Sequence, residues 1–171
     1  MTEHGSTTEG AEGIDLTARL IADLTRLGET VAVAESLTGG LLAAELIRPP
    51  GASNVVYGGV IAYNTAIKAS VLGVDGDLLR RFGPVHPEVA EQMAEGVRHV
   101  LAVDGTPASI GVATTGVAGP GPQGDQPAGT VFVGFSRDGR SRSFELQLSG
   151  DRDQIRAAAV SEAVRILRSQ F

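Results

Sequence analysis

The chain has 171 residues, 42% of them hydrophobic and 20% charged, and carries a net charge of −6. That length suits one domain with a core of its own. The lack of Cys excludes disulfides, thiolate nucleophiles and Cys-based metal sites, and no apolar run reaches the roughly 20 residues that cross a bilayer. An acidic chain without a run of basic residues argues against a nucleic-acid partner.

The first 13 residues, MTEHGSTTEGAEG, are polar and lack the basic start and apolar stretch of a signal peptide. They read as a disordered tail ahead of a single domain over 14–171, in a protein expected in the cytoplasm. Leu16, Leu20, Leu24 and Leu27 recur at helical spacing, which predicts a helix over 14–27 stopped by Gly28. A buried strand follows at 30–34, then a helix over about 38–47 broken by Pro49, Pro50 and Gly51. Residues 55–63 are strand-like. Short helices are expected at 65–72 and 77–82, and a longer one begins at Pro87 and runs to about 102.

Three β-rich runs come next, at 108–115, 129–136 and 142–148, the last two joined near Asp138 and Gly139 as a hairpin. Asp151 is placed to cap a final helix over 152–169. Helices and strands alternate early and a hairpin comes late, which predicts an α/β fold: a three-layer α/β/α sandwich with a mixed sheet. The loop 116–128, GVAGPGPQGDQPA, is long and irregular for a compact domain, as functional loops are.

Of 14 basic residues, 13 are Arg and only Lys68 is Lys. Arg keeps its proton at any useful pH, whereas a desolvated Lys can lose it. Lys68 is therefore either a base or a leftover of a bias toward Arg. The expected helix would put it in a first turn, where the positive dipole end lowers an amine's pKa.

Ser36 lies where a strand gives way to a helix, followed by Thr38, Gly39 and Gly40. Such a turn can present N–H groups to a phosphate or a developing oxyanion. Ser36 is then a nucleophile or simply a helix cap, the plainer reading on spacing alone. Glu35 reads as a charged strand end or a residue that orients a neighbour. Tyr63 is a hydrogen-bonding residue or core aromatic, and Asn64 or Thr65 caps the next helix.

The segment from Thr115 through Gly116, Ala118 and Gly119 opens the long loop at a strand end, where open α/β sheets bind ligands. Its GxxGxG order is not the dinucleotide fingerprint. Arg152 and Arg156, one helical turn apart, form a phosphate clamp or a solvated face paired with Asp153. His4, His86 and His99 have no metal-ligand spacing, and His86 reads as a helix-start residue. No metal site is expected.

Taken in order, AESLTGG, GGVIAYN, Lys68, LGV at 72–74, TGVAGPG at 115–121, PAGTV at 127–131 and SGDRDQIR at 149–156 resemble the C-terminal domain family of CinA, the competence-damage-inducible protein. The resemblance covers about residues 14–169. It implies the same three-layer sandwich, and a Ser/Lys amidohydrolase that needs no cofactor. Standalone members of the family are nicotinamide mononucleotide amidases. By motif match, Ser36 is the implied nucleophile, Lys68 the base and Tyr63 their catalytic companion, orienting Lys68 or relaying a proton.

The resemblance further implies that the 38–40 turn steadies the oxyanion, that the 115–121 loop and Arg152 hold ribose and phosphate, and that the protein is a homodimer. Asn64 stands where relatives usually have Ser, which bears on substrate contacts, and His86 stands where many have Ser. A non-catalytic nucleotide-binding module and an amidase for another small amide are the alternatives.

Overall fold

The computed structural model describes residues 15–171, so the tail expected over 1–13 lies outside the described residues. Helix α1 (Leu16–Leu27) starts on Asp15, whose carboxylate accepts from Ala18 N–H, and ends at Gly28 in the left-handed conformation. Strand β1 (Val31–Glu35) is followed by α2 (Leu41–Ile47), a 3-10 turn (Ala52–Asn54), β2 (Val56–Ile61), α3 (Thr65–Ser70), α4 (Gly76–Phe82) and α5 (Pro87–Val100). Strands β3 (Ile110–Gly116), β4 (Thr130–Arg137) and β5 (Arg140–Gln147) then precede α6 (Arg152–Arg168). Asp151 caps α6 in a reciprocal capping box with Gln154.

The five strands form one mixed sheet in the order β2-β1-β3-β4-β5. Strand β1 is parallel to both β2 and β3, and β3, β4 and β5 are successively antiparallel. The β4–β5 connection is the expected tight hairpin, with Asp138 and Gly139 both at positive φ, as a type I′ turn requires. Residues of α1, α2 and α6 pack on one face of the sheet around Val31, Val33, Ile110 and Val133. Residues of α4 and α5 pack on the other around Ala32, Ala34 and Ala113. The expected α/β/α sandwich is thus the fold observed.

Central β1 is buried along its whole length because helices cover both its faces. On one face α5 lies directly on β3 and β4. A Cβ built on Gly111 would stand 1.8 Å from the Ala94 carbonyl oxygen, and one on Gly134 2.0 Å from that of Ala90. Only glycine admits this approach.

The fold also directs a ligand to one place. From β1 the chain crosses one face through α2 to reach β2. It then returns across the other face through α5 to enter β3 on the far side of β1. Where successive connections leave to opposite faces, the strand ends part and a crevice opens at their carboxyl ends. Ser36 follows β1 at that crevice, and Thr115 and Gly116 end β3 beside it.

Candidate active site

Helix α2 begins three residues later than its sequence pattern indicates. Gly39 and Gly40 have φ of 59° and 101°, so residues 36–40 form a turn rather than a first helical turn. Ser36 therefore does not cap α2. Its N–H donates to the Thr114 carbonyl, continuing the β1–β3 ladder, and the residue is 8% exposed.

Glu35 does the capping. Its side chain is 1% exposed and accepts from the N–H groups of Gly40 (3.0 Å), Leu42 (3.0 Å) and Ala43 (2.8 Å). Gly39 N–H donates back to the Ser36 carbonyl at 3.2 Å. The turn expected to offer N–H groups from 38 to 40 has thus spent those of Gly39 and Gly40. The N–H groups of Leu37 and Thr38 have no acceptor among the described residues. The Thr38 hydroxyl is fully buried, paired with that of Thr114 at 2.7 Å, and serves to anchor the turn.

Lys68 extends from α3 and is 1% exposed. Its Nζ donates to Ser36 Oγ at 3.0 Å and to the Ala62 carbonyl at 2.5 Å. Burial lowers its pKa from 10.5 to about 8. The cause is desolvation of the charged amine, not the helix dipole that its sequence position suggested. In the six-residue α3, Lys68 lies in the last turn rather than the first.

A pocket of about 360 Å³ opens over this pair, within the size range of small-molecule sites. Ser36, Lys68, Tyr63, Thr115, Gly116, Ala118, Gly119 and Arg152 all line it. Thr38, Gly39, Gly40 and Asn64 do not. Asn64 instead caps α3, its Oδ1 accepting from Ala66 N–H, while Thr65 faces the pocket. The Thr115 hydroxyl donates to the Pro84 carbonyl at 2.6 Å, tying β3 to the α4–α5 connection.

Gln123 of the expected functional loop lines the pocket too, and so do Pro84 and Val85, which were not anticipated. No periodicity or motif marks those two, since tertiary packing alone brings their loop to the crevice. Tyr63 is 62% exposed at the rim, and its hydroxyl accepts from Arg152 Nη2 at 3.2 Å. Its hydrogen-bond partner is thus Arg152, not Lys68. Arg152 Nη1 also donates to the Gly119 carbonyl at 2.9 Å.

The two arginines in the first turns of α6, Arg152 and Arg156, part company. Arg152 faces the pocket, whereas Arg156 donates to the Leu37 and Thr38 carbonyls of the Ser36 turn. His86 caps α5 as expected, its Nδ1 accepting from Glu88 N–H. No group of three or more His, Cys, Asp or Glu side chains suited to a metal occurs among the described residues. Nor is any described helix long and apolar enough to cross a membrane.

A serine hydroxyl held by a buried lysine, at the switch point of a mixed parallel and antiparallel sheet, defines a three-layer α/β/α protein with a Ser/Lys pocket. The chain belongs to the CinA C-terminal domain family, whose model matches residues 14–171. It is similar to a CinA-like protein of Frankia casuarinae, 42% identical over 165 residues, covering 96% of this chain and 36% of that protein. A putative competence-damage inducible protein of Caldanaerobacter subterraneus is 44% identical over 146 residues, covering 85% of this chain and 34% of that one. The chain thus spans little more than a third of the length of these relatives.

Among solved structures, the competence/damage inducible protein CihA from Agrobacterium tumefaciens superposes with a TM-score of 0.83 at 36% identity, covering 94% of this chain and 98% of that one. A CinA superfamily protein from Klebsiella pneumoniae gives 0.85 at 29% identity, covering 91% and 95%.

Proposed function

We propose that the chain hydrolyses the carboxamide of nicotinamide mononucleotide to nicotinic acid mononucleotide and ammonia, with Ser36 as nucleophile and Lys68 as base. The observation that carries this proposal is the 3.0 Å contact between Ser36 Oγ and the Nζ of a lysine whose pKa burial has brought to about 8. At pH 7.5 such an amine is neutral in about a quarter of molecules, against about one in a thousand at its ordinary value. In the neutral state the contact reverses, and the serine hydroxyl donates to Nζ. The Ala62 carbonyl holds one amine hydrogen, which leaves the lone pair for Ser36.

Ser36 Oγ attacks the carboxamide carbon while Lys68 takes its proton. The tetrahedral oxyanion is met by the backbone N–H of Leu37, a residue that lines the pocket. Lys68 then returns the proton to the amide nitrogen, the C–N bond breaks and ammonia leaves a nicotinoyl ester on Ser36. Water adds to the ester with Lys68 again as base, and the C–O bond to Ser36 breaks as Lys68 returns that proton to Ser36 Oγ, releasing the acid, which ionises to the carboxylate. No step calls for a metal or organic cofactor.

Arg152 at the rim binds the substrate phosphate, exchanging its bonds to Gly119 and Tyr63 for phosphate oxygens. The Gly116–Gly119 backbone borders the ribose. Tyr63→Phe separates two roles for that residue: a loss confined to kcat supports proton relay, and a rise in KM supports substrate contact at the rim.

The test is ammonia release from nicotinamide mononucleotide and from a panel of small amides. Wild type is expected to act on the nucleotide, and Ser36→Ala and Lys68→Arg to lose at least about 10²-fold. Full activity in either variant removes that residue from the mechanism. Release from other amides alone keeps the Ser/Lys chemistry and changes the substrate, and nucleotide binding without release makes the chain a binding module.

A further inference from the structure

We infer that Arg156 is a positioning residue for the proposed hydrolysis, holding the turn after Ser36 so that Ser36 Oγ and the Leu37 N–H keep their places in the pocket. This rests on the Ser36–Lys68 mechanism and adds to it a residue from α6, distant in sequence from both.

The turn is held by two oppositely charged side chains that divide its backbone groups. Glu35 takes N–H groups at the start of α2. Arg156 takes carbonyls, with Nε donating to Leu37 O at 3.0 Å and Nη2 to Thr38 O at 3.3 Å. A planar guanidinium can span two successive carbonyls in this way, whereas an ammonium can only meet them as a point charge. The competing surface contact is weaker, since Arg156 Nη1 meets Asp153 at 3.4 Å and that carboxylate is 90% exposed.

The peptide is planar and trans, so its six atoms move as one unit. With the Leu37 and Thr38 carbonyls both tied to Arg156, Leu37 cannot turn away from the pocket that it lines. Its N–H, which has no acceptor among the described residues, then stays beside Ser36. The N-terminus of α2 is a poor substitute, because the Glu35 carboxylate already occupies it.

The experiment compares wild type, Arg156→Met and Arg156→Lys for kcat, KM and pH profile on nicotinamide mononucleotide. It also measures the rate at which a fluorophosphonate labels Ser36, per folded molecule as judged by thermal melting. Arg156→Lys keeps the aliphatic stem and guards against a variant that does not fold.

The expected result is a kcat lower by about 10- to 100-fold in both variants, KM within about threefold, and labelling slowed in parallel. The rising limb stays near pH 8, and methylguanidinium partly restores Arg156→Met. A merely structural role would leave the rate per folded molecule unchanged, and that outcome overturns the inference. So does a large rise in KM with kcat intact, which would make Arg156 a substrate contact. If wild type neither releases ammonia nor reacts at Ser36, the underlying mechanism fails and Arg156 falls with it. Loss in the Arg156 variants alone cannot be produced that way.

Discussion

Lys68 is costly to the fold and is the residue on which the proposed chemistry depends. Holding its amine at about 8 instead of 10.5 corresponds to roughly 3 kcal/mol of stability forgone while the group is charged. Below pH 8 the folded and unfolded chains both carry the proton, and the fold bears that cost in full. Between about 8 and 10.5 the folded chain has lost a proton that the unfolded chain keeps, so unfolding takes one up and stability rises with pH. Above 10.5 both are neutral. Denaturant melts of wild type and Lys68→Met, taken from pH 7 to 11, are therefore expected to converge. Lys68→Met should be the more stable by roughly 1–3 kcal/mol at pH 7 and lose that lead through the window. In the proposed mechanism the same ionisation sets activity. Wild-type kcat/KM should rise with pH and level off above about 8, as read from initial rates across pH 6–10. A flat profile would mean that Lys68 is not the base.

Strand β1 orders that residue pair through Glu35, and α5 orders the sheet beside it through close glycine contacts. Glu35→Gln places an amide NH2 against N–H groups that now share a carboxylate. Leaving one or more unpaired should cost about 2–4 kcal/mol in urea melts and lower kcat by disordering the Ser36 turn. Gly134→Ala pushes a methyl into the Ala90 carbonyl and should cost about 1–3 kcal/mol or more while the pocket keeps its chemistry. An unchanged Tm there would contradict the close approach of α5 to the sheet.

These elements also show what could be read in advance. Helix α1 with its Gly28 stop, the Asp151 cap and the Asp138–Gly139 hairpin all carry local signals, whereas Ser36 and the sole lysine, 32 residues apart, are brought together by the family resemblance. The late start of α2 carries no such signal. Its cap is a strand residue reaching forward past a double-glycine turn, and an acid at a strand end looks like surface charge until the fold buries it. Arg152 and Arg156 share a helix face, so spacing alone cannot assign one to the pocket and the other to a carbonyl pair. Tyr63 was legible as a member of the site, but its bond to Arg152 comes from α6 packing against the rim.

At the scale of the whole molecule, the pocket exists only because separate parts of the chain meet. The β1 turn, α3, the loop after β3 and the start of α6 each contribute lining residues. A ligand that spans them binds the folded chain and has nothing comparable to bind when it is unfolded, so its binding energy appears as stability. Ser36→Ala isolates this effect, because it removes the nucleophile and leaves the lining intact. With nicotinamide mononucleotide at about 100 times its Kd the gain is about 2.7 kcal/mol. For a domain of this size that raises Tm by roughly 5–10 °C, measurable by calorimetry or dye-monitored melting. The shift should shrink in Ser36→Ala/Arg152→Ala, where the phosphate loses its cation, and should be smaller for the nucleoside, which has no phosphate to lose. Equal shifts for nucleotide and nucleoside would place the phosphate outside the pocket and detach Arg152 from substrate binding, leaving its bonds to Gly119 and Tyr63 as a structural tie between α6 and the rim.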